Sequence, residues 1–150
     1  MDTMATLAIN KRAKFDYEIL ETFEAGLMLL GHEVKSVRAG QMSLRGAYVT
    51  MHGGEAWLTG STIPAYAKAG PLPGYDSMRS RKLLLHRREL SRILGKMQQK
   101  GLTLVPISVY TRRSTIKIEF GLARGKKMYE KREAIKKRDL DREVRETLGE

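Results

Sequence analysis

Gly121-Leu122-Ala123-Arg124-Gly125-Lys126-Lys127 is where this chain changes character. The stretch closes an apolar, strand-patterned run and passes two glycines. It then leads through Met128-Tyr129-Glu130-Lys131-Arg132 into a charged segment that continues to Glu150. Residues 1–127 therefore read as a body with a core, and residues 128–150 as an arm without one.

Working outward from Gly121, Ile116 to Leu122 and Leu102 to Tyr110 both alternate apolar and polar positions and are joined by Arg112-Arg113-Ser114-Thr115. That pattern predicts a β-hairpin. Pro106 has no N–H to give to a ladder, so its strand must lie at an edge or carry a bulge there. A second hairpin is expected from Ala47 to Ile63, because Gly53-Gly54 can take positive φ at both turn positions. Tyr17, Ile19 and Phe23 alternate with Glu18, Leu20, Thr22 and Glu24, predicting a strand over 16–26.

Two helices are expected. His32 to Ala39 places Val34 and Val37 beside a stripe of Lys35 and Arg38, and Gly40 suits the C-terminal end. Ser80 to Lys100 repeats Leu83, Leu84, Leu90, Ile93, Leu94 and Met97 at helical spacing. Around them stand Arg79, Arg81, Lys82, Arg87, Arg88, Arg92, Lys96 and Lys100 with Glu89 as the lone acid, a basic wall rather than a mixed solvated face. His86-Arg87-Arg88-Glu89 can divide this segment into a short and a longer helix. Pro64 to Ser77, rich in proline and glycine, reads as a long loop. Met1 to Ala8 is read as a mobile terminus, followed by the basic patch Asn10-Lys11-Arg12-Ala13-Lys14. The whole is mainly β with α: a partly open antiparallel β-barrel of the OB type, with flanking helices at its openings.

The 150 residues suffice for one core. Lys and Arg number 28 against 17 Asp and Glu, a net charge of +11. Solubility needs a net charge of only about 2 to 8, so the excess points to a polyanion. Charge alone does not choose between nucleic acid and an acidic membrane surface. No cysteine is present, which excludes disulfides and thiolate metal sites. No apolar run reaches the roughly 20 residues that cross a bilayer, and Met1 to Lys14 lacks the apolar segment of a secretory signal. A cytoplasmic protein is expected.

Catalytic patterns are sparse. His32, His52 and His86 lie far apart, and no metal-ligand spacing occurs. Gly121 to Lys127 departs from a phosphate loop, because its glycines are too close and Lys126 precedes Lys127 instead of Ser or Thr. Glu21, Glu24 and Glu33 are the residues from which a nuclease could assemble a Mg²⁺ site. Pairing with the abundant arginines is the expectation for them, so no cofactor, metal or catalytic residue is assigned.

In the arm, Ile135, Leu140, Val144 and Leu148 make only a thin apolar stripe. Pairs such as Glu133 with Lys137 and Asp141 with Arg145 contribute about 0.2–0.5 kcal/mol each, against roughly 1 kcal/mol or more of backbone entropy per ordered residue. The arm is expected to be disordered when free and helical once an anionic channel receives it, the alternative being a helix packed back on the body.

Four segments together resemble a known family. Glu21-Thr22-Phe23-Glu24-Ala25-Gly26, Glu33-Val34-Lys35-Ser36-Val37-Arg38-Ala39-Gly40, Arg81-Lys82-Leu83-Leu84-Leu85-His86-Arg87-Arg88-Glu89-Leu90 and Gly121 to Lys127 with Lys131-Arg132 are similar, in order and spacing, to the small protein B family of SsrA-binding proteins. The resemblance runs from about Ile9 to Arg138. It implies an OB-type body that binds the tRNA-like domain of tmRNA, and a tail that enters the decoding centre and empty mRNA channel of stalled ribosomes during trans-translation. By similarity, Asn10, Glu24 and Leu84 match RNA-binding positions, with Lys11, Arg12, Lys35, Arg38, Lys82 and Arg124 supporting them. Gly125, Lys126 and Lys127, also expected to bind RNA, lead into a ribosome-binding tail containing Tyr129, Glu130, Lys131, Arg132, Ile135, Lys136, Lys137, Arg138 and Leu140. A non-enzymatic monomer is implied, with tmRNA and the ribosome as partners and no membrane. Phe15 and Tyr129 stand where members often hold His, and Leu140 where some hold Trp.

Overall fold

The computed structural model describes residues 4–99, 101–126, 132, 136–140 and 142. Within them, seven strands form one antiparallel sheet: β1 (Met4–Ile9), β2 (Tyr17–Leu27), β3 (Tyr48–His52), β4 (Glu55–Thr59), β5 (Arg81–Leu84), β6 (Leu102–Arg112) and β7 (Thr115–Gly125). Three helices accompany them: α1 (Ala13–Asp16), α2 (Gly31–Arg38) and α3 (Arg87–Met97). The strand order is β1-β6-β3-β4-β5-β2-β7, and β7 returns to pair with β6. Six strands thus close a ring of the expected OB type, and β1 adds outside it on β6.

Both predicted hairpins form. Tyr48 faces Thr59 and His52 faces Glu55 across the Gly53-Gly54 turn, whose φ values are 61° and 76°. The β6–β7 hairpin turns at Arg113 and Ser114, which take φ of 51° and 66° without being glycines. Left-handed backbone costs a residue with a Cβ about 1–2 kcal/mol, so this turn is strained. Pro106 does sit at a register shift, between Pro106 and Ser108. Its strand is nevertheless central, flanked by β1 and β7.

Two expectations are corrected. The terminus read as mobile is a strand from Met4 onward, pairing Met4 with Arg112 and Ile9 with Ser108. The segment read as helical from Ser80 begins instead as strand β5, and only Arg87–Met97 is helical. The reason is a period-2 alternation hidden among leucines and cations: Arg81 and Leu83 point inward and are fully buried, while Lys82 and Leu84 point out.

The core fills the ring with Val37, Leu58, Leu83, Leu104, Ile118 and Phe120, all essentially inaccessible. A second, smaller cluster of Ala13, Val105, Ile107 and Ala123 lies under α1. Side-chain alternation places Val105 and Ala123 on the other face of β6 and β7 from Leu104 and Leu122.

Candidate nucleic-acid interface

Leu84 projects from β5 into a groove of about 370 Å³ lined also by Gly26, Val34, Arg38, Ser114 and Lys117. Its side chain is 48% exposed, although its backbone is held by the Gly26 pairing on β2. Arg38, at the last position of α2, donates from Nη2 to the Ser114 carbonyl at 2.5 Å, tying the helix to the strained β6–β7 turn. Lys35 is exposed one turn earlier on the same helix. An apolar knob beside the fixed Arg38 and the side chains of Lys35 and Lys117 can pack under a sugar or an unpaired base while the cations meet phosphate.

Glu24 lies two residues before Gly26, on the outer face of β2. Its carboxylate accepts a hydrogen bond from the Tyr110 hydroxyl and pairs with Arg112 at 3.2 Å. Burial, reinforced by this carboxylate, pushes the Tyr110 hydroxyl pKa upward, so the phenol stays a donor. Glu24 therefore orients Tyr110 and Arg112 and keeps lone pairs free for a base amino group. Lys82, also on this outer face, lies 3.6 Å from Glu55 on β4.

The remaining predicted body residues gather elsewhere. Asn10 and Arg12 line a groove of about 540 Å³ with Asp16, Tyr17, Arg45 and Tyr48. The Asn10 side chain donates to the Pro106 carbonyl at 2.8 Å and accepts from the Arg12 amide at 3.3 Å. Asn10 is thus fastened to the β6 bulge, a placement that shapes the groove. Arg12 pairs with Asp16 at 3.2 Å and lies over the Phe15 ring at 4.8 Å, while Lys11 is exposed. Arg124 pairs with Glu18 at 2.5 Å. Past Gly125, the Lys126 amide donates to the Asp16 carbonyl at 2.9 Å and its Nζ to the Lys14 carbonyl at 2.8 Å, fixing the root of the arm against α1. Strand β7 connects the two regions, with Thr115 and Lys117 at the Leu84 groove and Gly125 paired to Tyr17, which lines this one.

Of the arm, 136–140 is helical backbone with Lys136, Lys137, Arg138 and Leu140 exposed, and Arg132 is helical too. The Arg138 guanidinium lies 5.8 Å from the Phe15 ring. The expectations for Lys127, Tyr129, Glu130, Lys131 and Ile135 fall outside the described residues.

The basic wall is corrected in part. Arg81 is fully buried and gives hydrogen bonds to Glu33 Oε2 (2.6 Å from Nη2), the Ser61 carbonyl and the Tyr75 hydroxyl. Arg79 closes on the other side of Glu33. Burial alone would raise the Glu33 pKa, but bonds from Arg79, the Leu30 amide, Arg81 and Tyr75 outweigh it and hold the carboxyl at about 2. Glu21 is engaged by Lys96 and, at 2.8 Å, by Arg92, which lowers its pKa. Arg87 and Arg88 remain exposed at the start of α3. Each carboxylate considered for a Mg²⁺ site thus has cationic partners, and among the described residues no three His, Asp or Glu converge on a metal position. None of the described helices is long and apolar enough to cross a membrane.

Sequence reasoning did not single out Tyr17, Arg45, Tyr48, Tyr110, Arg112 or Lys117. For Tyr110, Arg112 and Lys117 the signal was available: alternation along the β6–β7 hairpin puts all three on one outer face.

Comparison with known proteins matches residues 7–150 to the family described as SmpB protein. The chain belongs to the SmpB family. An SsrA-binding protein of Coprothermobacter proteolyticus is 54% identical over 144 residues, covering 95% of each chain. That of Thermosynechococcus vestitus is 46% identical over 147 residues, covering 98% of this chain and 97% of its own. A solved chain from work on tmRNA–SmpB at the center of the bacterial ribosome is 50% identical, with a TM-score of 0.66, and covers 85% of this chain and 92% of that one. SmpB proteins are an RNA-binding family, and the outer face around Leu84 and Glu24 is the part of this member that offers apolar, acidic and cationic groups side by side.

Proposed function

We propose that this chain is a tmRNA-binding protein of trans-translation. Its body binds the tRNA-like domain of tmRNA and delivers it to stalled ribosomes, where the tail occupies the decoding centre and empty mRNA channel and allows the nascent peptide to be tagged. The observation that carries this reading is identity of about half the residues to SsrA-binding proteins of equal length. Supporting it, the Leu84 groove combines Arg38 and Lys117 with an exposed apolar side chain.

In this reading the protein is a cytoplasmic, non-enzymatic monomer. Leu84, Arg38, Lys35, Lys82 and Glu24 face RNA, with Asn10 and Arg12 lining the second groove and Lys11 and Arg124 supporting the contact. Gly125, Lys126 and Lys127 launch the tail, which is disordered when free and becomes helical on the ribosome. Truncation after Lys127 tests the division of labour: affinity for the tRNA-like domain is retained while tagging on stalled ribosomes is lost. Equal loss of both would overturn it. Labelled structured RNA incubated with the protein and Mg²⁺ stays uncut.

A further inference from the structure

On the outer face of the β3–β4–β5 ribbon, Trp57 has no role in what precedes. It stands in the middle of that face, opposite Thr50 on β3 and Lys82 on β5. With Thr50, His52, Thr59 and Ser80 it lines a shallow depression of about 300 Å³. Its indole Nε1 donates to the His52 carbonyl at 3.2 Å, which fixes the ring's orientation. The Thr50, Thr59 and Ser80 hydroxyls form a row at 3.4 Å spacings beside it. Tyr48 occupies the diagonal position on the same face and is 50% exposed.

Buried tryptophan usually serves a core, but this residue is only partly buried, on the face opposite to Ala56 and Leu58, which are fully buried. A pinned aromatic ring, a row of hydroxyls and a nearby lysine suit a nucleotide: the π-face takes a base, the hydroxyls take a ribose or base edge, and Lys82 takes phosphate. The face is also continuous with the groove already described, since Lys82 and Leu84 share the outer side of β5 and line one depression with Glu55. The net charge of +11 selects RNA over an acidic protein as the more general match for such a strip, because it lies along one wall of a cationic body.

We infer that Trp57 is a stacking platform for an unpaired nucleotide of the same RNA that Leu84 engages, extending the RNA footprint across β5 onto the β3–β4 hairpin. The inference rests on the RNA-binding reading above.

Trp57 is the sole tryptophan of the chain, so its fluorescence reports on this face alone. The full-length protein is titrated with the tRNA-like domain of tmRNA, with affinity read by filter binding and Trp57 read by emission and by accessibility to acrylamide. Binding is expected to quench the emission and shield the ring. Trp57→Ala should weaken affinity about tenfold or more, and Trp57→Phe by less than about threefold, since a smaller ring still stacks. Tight binding that leaves Trp57 emission and acrylamide accessibility unchanged would overturn this inference while leaving the proposed function intact. Failure of the unaltered protein to bind the tRNA-like domain would overturn the proposed function itself. The emission readout uses the unaltered chain, so an alanine variant that folds poorly does not decide the matter.

Discussion

Gly26 on β2 and Leu84 on β5 are register partners, and Leu84 folds so closely over the glycine that a methyl group there would stand 3.2 Å from Leu84 Cβ and 3.3 Å from its Cδ1. Leu84 is half-exposed, so its Cδ1 can swing outward, and its Cβ need give by only a few tenths of an ångström. Gly26→Ala should therefore leave the thermal midpoint within a few degrees, because reduced unfolded-state freedom of about 0.4–1 kcal/mol offsets the crowding. Affinity for the tRNA-like domain should fall roughly three- to tenfold, or about 0.7–1.4 kcal/mol. Filter binding and a thermal melt of the same preparation check both halves.

Glu33 presents the opposite case, a charge whose removal is costly. Glu33→Gln leaves the fully buried Arg81 without its carboxylate. Breaking such a pair costs about 3–5 kcal/mol. Urea denaturation should show a loss of this size, and the conservative Arg81→Lys should lose nearly as much, because one ammonium cannot reproduce the contacts that the guanidinium makes to Glu33, Ser61, Tyr75 and Ser77.

The same carboxyl predicts a pH dependence. Its pKa is depressed from 4.5 to about 2 on folding. The stabilisation it gives is thus fully present above about pH 5 and is lost as the pH falls through 4.5 towards 2, with a total on the order of 3 kcal/mol. Denaturation midpoints measured from pH 6 to 2.5 should fall steeply for the unaltered chain, and Glu33→Gln should lack that component of the slope.

Gly121 is confined more tightly than Gly26. A methyl group there would meet Ile19 Cγ2 at 2.9 Å and the Glu21 carbonyl oxygen at 3.3 Å, beside the register shift between Ile19 and Glu21. Backbone cannot swing aside, so Gly121→Ala should destabilise the fold by about 1–3 kcal/mol. A lowered melting temperature with unchanged RNA affinity below it would be the signature.

Lys35 tests the electrostatic share of binding. Replacing this exposed lysine by Gln should weaken affinity uniformly across RNA sequences and reduce the slope of log K against log salt by about 0.7–0.9, the contribution of one phosphate contact. An unchanged slope would remove Lys35 from the interface.

The barrel was legible in the sequence wherever a turn announced itself. Gly53-Gly54 and the alternation on either side of Arg113-Ser114 suffice to place four strands. Strand β1 was missed because Met4, Ala5 and Thr6 are exposed and carry no apolar face for periodicity to detect. Strand β5 was missed for a different reason. Its inward positions are Arg81 and Leu83, and an inward arginine makes sense only beside Glu33, 48 positions earlier in the chain. Leu84 was therefore expected on a helix, and the eight cations around it were expected to form a wall, whereas five of them, Arg79, Arg81, Lys82, Arg92 and Lys96, pair with acids of neighbouring elements. The Trp57 face was invisible for a related reason: Ala56, Trp57 and Leu58 are consecutive apolar residues, and only the register separates Leu58, inside, from Trp57, outside.

Strand β7 has one more implication. It is an unbroken 11-residue strand whose first residues border Leu84 and whose last residue precedes the arm's anchorage on α1. At about 3.3 Å per residue it spans roughly 35 Å, and pairing on both flanks leaves it little room to bend. It acts as a calliper: the distance between the Leu84 groove and the point where the arm departs is set by strand length, so an insertion in β7 would shift one relative to the other without touching either.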